Sequence, residues 1–137
     1  MMEQSLEEYF VKSFIKKDRQ ERLLHELKRP DKRYRGLSRF CHQADDFIEP
    51  DKILIQGKKL ETDERFVKFI EEHDEFCNVL SPDPYLDGRS LKLNEALYMT
   101  LASADAVIII LKGFVIIFTE AEKGGRDKYL LSEKVGA

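Results

Sequence analysis

The chain has no tryptophan, only two cysteines, four prolines and seven glycines among 137 residues. Cys41 and Cys77 fit neither a disulfide framework nor a C-x-x-C site, so the thiol inventory points to the reducing cytoplasm. No membrane partner is expected. The most apolar region, Ala106 to Phe118, is interrupted by Lys112 and Gly113 and falls short of the roughly 20 residues that a helical span needs. The opening MMEQSLEEYF is acidic and helical in pattern, unlike the basic and apolar blocks of a secretory signal. Low-complexity tracts and repeats at solenoid spacing are also missing, which argues against disorder and repeat architectures.

What is present is globular in kind: 42% hydrophobic residues, 36% charged residues and a formal net charge of −3. A chain of this length suits a single domain, residues 1–137, able to fold without metal or disulfide staples.

Ser5 and Glu8 form a capping box, so a helix is predicted to begin there with Leu6, Phe10 and Phe14 on its apolar face. The pattern stops at Lys16, Lys17 and Asp18. A break near Lys17 and a second helix capped by Asp18, with Leu23, Leu24 and Leu27 inward, are expected. Pro30 ends that helix, and Asp31 is placed to cap a third, carrying Tyr34, Leu37, Phe40, Cys41, Ala44, Phe47 and Ile48.

Beyond Pro50, Ile53–Leu54–Ile55 ending at Gly57 reads as a strand, and Thr62 opens a helix with Phe66, Val67, Phe69 and Ile70. Phe76 to Leu80 reads as another strand, and SPDPYLDG as a loop or tight turn. A helix from about Leu93 to Ser103 follows, with Leu93, Ala96, Leu97, Thr100, Leu101 and Ala104 inward. Ala106–Leu111 and Phe114–Phe118 are apolar at every position, which describes a β-hairpin covered on both faces. A last strand at Lys128–Ser132 follows a Gly124-Gly125 turn. The expected fold class is α+β: N-terminal helices packed with a small mixed sheet that contains a C-terminal hairpin, with about five helices and four to five strands.

No complete motif for phosphate cradling, calcium or nucleophilic catalysis emerges, so no cofactor is expected. Gly57-Lys58-Lys59 lacks the upstream glycine and following Ser or Thr of a P-loop. Asp83, Asp87 and Gly88 match three calcium-loop positions, but Tyr85 and Asn94 stand where two carboxylates belong. Cys41 and His42 point roughly 100° apart on a helix, so with His73 and Cys77 they make a poor zinc set. Buried thiols and surface imidazoles are the simpler reading. His25 sits at a helix boundary.

The unusual feature is electrostatic. Lys12 to Arg39 holds eleven basic and four acidic residues, net +7, whereas Cys41 to Asp87 holds five basic and thirteen acidic, net −8. Lys32, Arg33 and Arg35 crowd the positive end of the third helix, with Asp45, Asp46 and Glu49 toward its negative end. Local rules broken in this way often mark a functional surface. The leading expectation is a non-enzymatic protein-interaction or regulatory module. Its surface would combine Lys28, Arg29, Lys32, Arg33, Arg35 and Arg39 with the acidic loop Asp83–Asp87, and its partner would be another protein or a second copy. Nucleic-acid or anion binding through residues 12–39 is the alternative, against which the pI near 5.7 counts. A third reading is an enzyme whose acids Asp83, Asp87 and Glu95 converge in space. The bland reading pairs the basic residues with acids inside the fold.

Overall fold

The computed structural model describes residues 5–120 and 125–134. At its centre stand the two continuous apolar runs, β4 (Val107–Leu111) and β5 (Phe114–Phe118). They pair antiparallel from Val107 opposite Phe118 to Leu111 opposite Phe114. The tight turn between them needs Gly113, whose φ of 86° a side chain would oppose. On one side β6 (Lys128–Ser132) and then β1 (Ile53–Gly57) extend the sheet. On the other are β2 (Phe76–Leu80) and the edge strand β3 (Ser90–Lys92), giving the order β1-β6-β5-β4-β2-β3.

Successive strand residues point to opposite faces, and every residue of β4 and β6 is buried, so both faces of the central sheet must be covered. One face gathers Ile108, Ile110, Val115, Ile117, Tyr129 and Leu131 into a cluster with Phe10, Phe14, Leu23, Leu37, Phe40 and Phe47. These come from α1 (Leu6–Phe14), α2 (Lys17–Lys28), α3 (Arg33–His42) and α4 (Ala44–Phe47). The opposite face gathers Val107, Ile109, Ile116 and Leu130 with Phe66, Phe69, Leu93 and Ala96 from α5 (Glu64–Glu72) and α6 (Leu93–Ala102). Each such aliphatic side chain taken out of water contributes about 1.5–3 kcal/mol.

Several expectations are corrected. The sheet is antiparallel throughout, not mixed, and among the described residues it has six strands. The additional strand, β3, is three residues long with only Leu91 buried, too short to show a period. The third helix breaks at Gln43 into α3 and α4, which makes six α-helices among the described residues. Asp31 and Asp18 do not cap: α3 and α2 begin after Lys32 and Lys16 without a side-chain cap bond. Asp63 caps α5 by accepting from the Arg65 amide, while the Thr62 hydroxyl turns back to the Lys59 carbonyl. Leu101 is 68% exposed and Ala104 is also exposed, so neither belongs to the inner side of α6. The Ser5 cap does form, accepting from the Glu8 amide at 3.1 Å, but the Glu8 carboxylate pairs with Lys28 and Lys12. Gly124 of the expected turn lies outside the described residues.

One close approach fixes how α2 and α3 pack. A Cβ added at Gly36 would stand 2.9 Å from the Cβ of Glu26, an atom too near the backbone to swing away. In an open helix Gly to Ala gains up to about 1 kcal/mol, whereas overpacking a tight contact costs about 1–3 kcal/mol. Gly36→Ala is therefore expected to lower stability by about 1–2 kcal/mol in urea unfolding. A stabilised variant would show that α2 and α3 have room to separate.

Candidate interaction surface

Arg33 is the junction of the basic segment. It lies at the start of α3, and its side chain is only about a fifth exposed. Nε donates to Asp87 Oδ2 at 2.7 Å and Nη2 to Asp87 Oδ1 at 2.9 Å, a two-pronged pair across 54 residues of sequence. Nη1 donates to Glu7 at 2.9 Å and to the Leu27 carbonyl at 3.0 Å. One planar guanidinium thus ties α1, the end of α2, α3 and the 81–89 loop together, with the fork geometry that only arginine offers. These carboxylates raise the Arg33 pKa further, led by the Asp87 hydrogen bond.

The loop held by this clamp is ordered from within. The Ser81 amide donates to Asp87 and the Ser81 hydroxyl to the Ala106 carbonyl at 2.6 Å. Asp83 accepts from the Tyr85 amide and from the Ser103 hydroxyl at the end of α6. Leu86 and Asp87 donate back to the Asp83 carbonyl, Gly88 donates to the Val79 carbonyl, and Leu86 is buried. The Tyr85 side chain stands outside this network, the residue being 83% exposed, and Tyr34, next to the clamp arginine in the chain, is 65% exposed. Arg33 thus ties the basic segment to the acidic loop through Asp87.

The other basic residues divide. Arg39 forks onto Glu26, with Nη1 to Oε2 at 2.8 Å and Nη2 to Oε1; Arg22 also approaches that carboxylate. Glu26 is only 5% exposed, and the Arg39 hydrogen bond holds its carboxyl below the ordinary value although burial pulls the other way. Lys28 meets Glu8, and Arg29 approaches Asp31 at 3.5 Å. Lys32 and Arg35 have no ion pair among the described residues, and Arg35 is exposed. Asp45 and Asp46 fall in the first turn of α4, where the helix dipole favours them, so their expected conflict with the third helix disappears at the Gln43 break.

The acids Asp83, Asp87 and Glu95 are held differently. Asp83 and Asp87 share a loop, but both carboxylates are occupied by the bonds above. Glu95 is exposed on α6 and joins neither in a hydrogen bond among the described residues. A polar cleft of about 370 Å³ lies elsewhere, lined by residues that include Asp45, Asp46, Lys58, Asp127 and Tyr129. Burial and then Asp45, which accepts from the Tyr129 hydroxyl at 2.5 Å, push that phenol up and keep it protonated. Cys41, at the same cleft, is pushed up to about 12 by burial, so it is a thiol and a poor nucleophile near neutral pH. Among the described residues no group of three or more His, Cys, Asp or Glu is spaced to hold a metal ion.

No protein family, curated protein or solved structure matches this chain. The surface rests on its own geometry. Sequence reasoning found Arg33 and Asp87 separately but not their pairing. It placed Tyr34 in the apolar set of the third helix, whereas the structure exposes it at the margin of that stripe, and it did not single out Tyr85, which sits in a turn without periodicity.

The depressed Glu26 pKa has a definite pH consequence. The folded state binds this proton less readily than the unfolded chain, so Glu26 contributes stability above the ordinary carboxylate pKa of about 4.3, and the contribution disappears as pH falls through the lowered folded value. Glu26→Gln is expected to cost about 1–3 kcal/mol at neutral pH, with the gap from the parent closing in urea unfolding at acid pH. A gap that stays constant from neutral to strongly acidic pH would contradict this role.

Proposed function

We propose that this chain is a non-enzymatic protein-interaction module whose contact surface is built on the Arg33–Asp87 clamp. The observation that carries the reading is the exposure of Tyr85 on a loop whose own polar groups are bonded internally and which is clamped by Arg33, with Tyr34 exposed one residue further along α3. Tyrosine is favoured at contact surfaces because it brings a large apolar area and a polar tip with few rotatable bonds. A loop already fixed in shape loses little conformational freedom on binding. Chemistry of the acid or nucleophile type has less support, since Asp83, Asp87 and Tyr129 hold structural bonds and Cys41 is kept protonated.

A photo-crosslinking residue placed at position 34, 85 or, as a control on the opposite helical layer, 64 tests the proposal in the expressing cell. Positions 34 and 85 should yield the same discrete adduct, position 64 should not, and Arg33→Gln should weaken the adduct from position 85 by releasing the loop. Equal patterns from all three positions, or none from 34 and 85, would contradict the assignment.

A further inference from the structure

We propose that Asp87–Gly88 is a self-modification site, an aspartate able to rearrange to isoaspartate, and that the Arg33 clamp holds it closed. The proposal stands on the clamp alone and does not need the interaction reading above. Asp87–Gly88 is the one Asp-Gly pair in the sequence, and no Asn-Gly pair occurs. A glycine after an aspartate leaves the next amide nitrogen unshielded, because no Cβ obstructs ring closure. The fold leaves little freedom to change either residue. Gly88 has a φ of 81°, where a side chain would be strained although the space around it is open. Asp87 is the carboxylate that meets both prongs of Arg33. The turn and the clamp therefore place the most reactive aspartate context of the chain at the contact that orients the loop.

The chemistry needs no other reagent than water. The Gly88 nitrogen attacks Asp87 Cγ, the amide proton and the hydroxyl of the acid-form carboxyl leave together as water, and a five-membered succinimide forms. Water then adds back at either ring carbonyl. Opening at Cγ restores aspartate, whereas opening at the main-chain carbonyl routes the backbone through Cγ and leaves a free carboxylate on Cα. The folded loop blocks the first step at both ends. One carboxyl oxygen must depart, yet Oδ2 accepts from Arg33 Nε at 2.7 Å, and Oδ1 accepts from Arg33 Nη2 at 2.9 Å and from the Ser81 amide at 3.2 Å. The Gly88 amide proton must also leave, and it is donated to the Val79 carbonyl at 2.8 Å. Both restraints are released when the loop opens locally, so the reaction follows the population of that opening. The product cannot re-form the clamp. Its backbone is one carbon longer and its carboxylate one carbon closer to the chain, so the two oxygens no longer meet the guanidinium fork in its plane. Isomerisation is thus a one-way loss of the loop's attachment, at a rate set by how often Arg33 lets go.

The full chain, Arg33→Gln and Arg33→Lys, aged side by side at neutral pH, test the proposal. Peptide mapping with electron-transfer fragmentation counts isoaspartate at position 87, and the parent unfolded in urea gives the unprotected rate. The native parent should convert at least about tenfold more slowly than the unfolded parent. Both variants, checked as folded by far-UV circular dichroism, should convert at least about threefold faster than the native parent, Arg33→Lys included, because an ammonium keeps the charge without the fork. Equal rates in the native and unfolded parent would show that the loop gives no protection and would overturn the proposal. Folded variants that convert no faster than the native parent would assign the protection to the loop's internal bonds and overturn the role of the clamp. The parent also supplies a check that needs no variant. Amide exchange at Gly88 should be slowed, since that proton is released by the same opening, and a Gly88 amide that exchanges freely while isomerisation is suppressed would contradict the mechanism.

Discussion

A single guanidinium sets the relation between the helical layer and the far end of the sheet. Arg33 reaches α1 through Glu7, α2 through the Leu27 carbonyl and the β2–β3 connection through Asp87, while its own backbone begins α3. The hydrophobic clusters on the two faces of the sheet supply the bulk of the stability, but burial is non-directional and does not specify where the tip of a surface loop points. A two-pronged ion pair does specify direction, because both N–H bonds must meet both oxygens in one plane. The orientation of Tyr85 depends on this contact and on the bonds inside its loop.

The charge distribution follows a similar logic. The basic and acidic halves of the sequence meet at Arg33–Asp87, while Arg39–Glu26 joins α2 to α3 within the basic half. Exposed ion pairs contribute little, but a carboxylate as covered as Glu26 would be costly if left alone, so its arginine is required once the glutamate is buried. Gly36 is part of the same arrangement, since the helices approach closely at the position where Glu26 needs room. Arg19 and Arg39 also stack over the Phe47 ring at 5.6 and 5.8 Å, so cations of the helical layer serve packing as well as pairing.

The strongest sequence signals were those with a local physical cause. Continuous apolar runs identify β4 and β5 because strands covered on both faces have no polar side to show. The Ser5 cap marks the start of α1 through one hydrogen bond, and the Gly113 turn follows from its positive φ. The signals that failed depend on tertiary context. β3 is defined by its partner β2 and not by any period of its own, and Asp63 displaces Thr62 as the α5 cap because the Thr62 hydroxyl is committed to Lys59. Both members of the clamp were visible as residues, yet nothing in a linear reading links positions 33 and 87, or shows which members of the basic segment the fold pairs with acids.

The central claim, that Arg33 makes the 81–89 loop and the helical layer one rigid surface, is tested most directly by amide hydrogen exchange in the parent and in Arg33→Gln. The account predicts clearly faster exchange at Ser81, Leu86 and Asp87 in the variant, with the amides of β4 and β5 unchanged. Equal loop protection in the two proteins would show that the loop holds its shape without the clamp and would contradict the account.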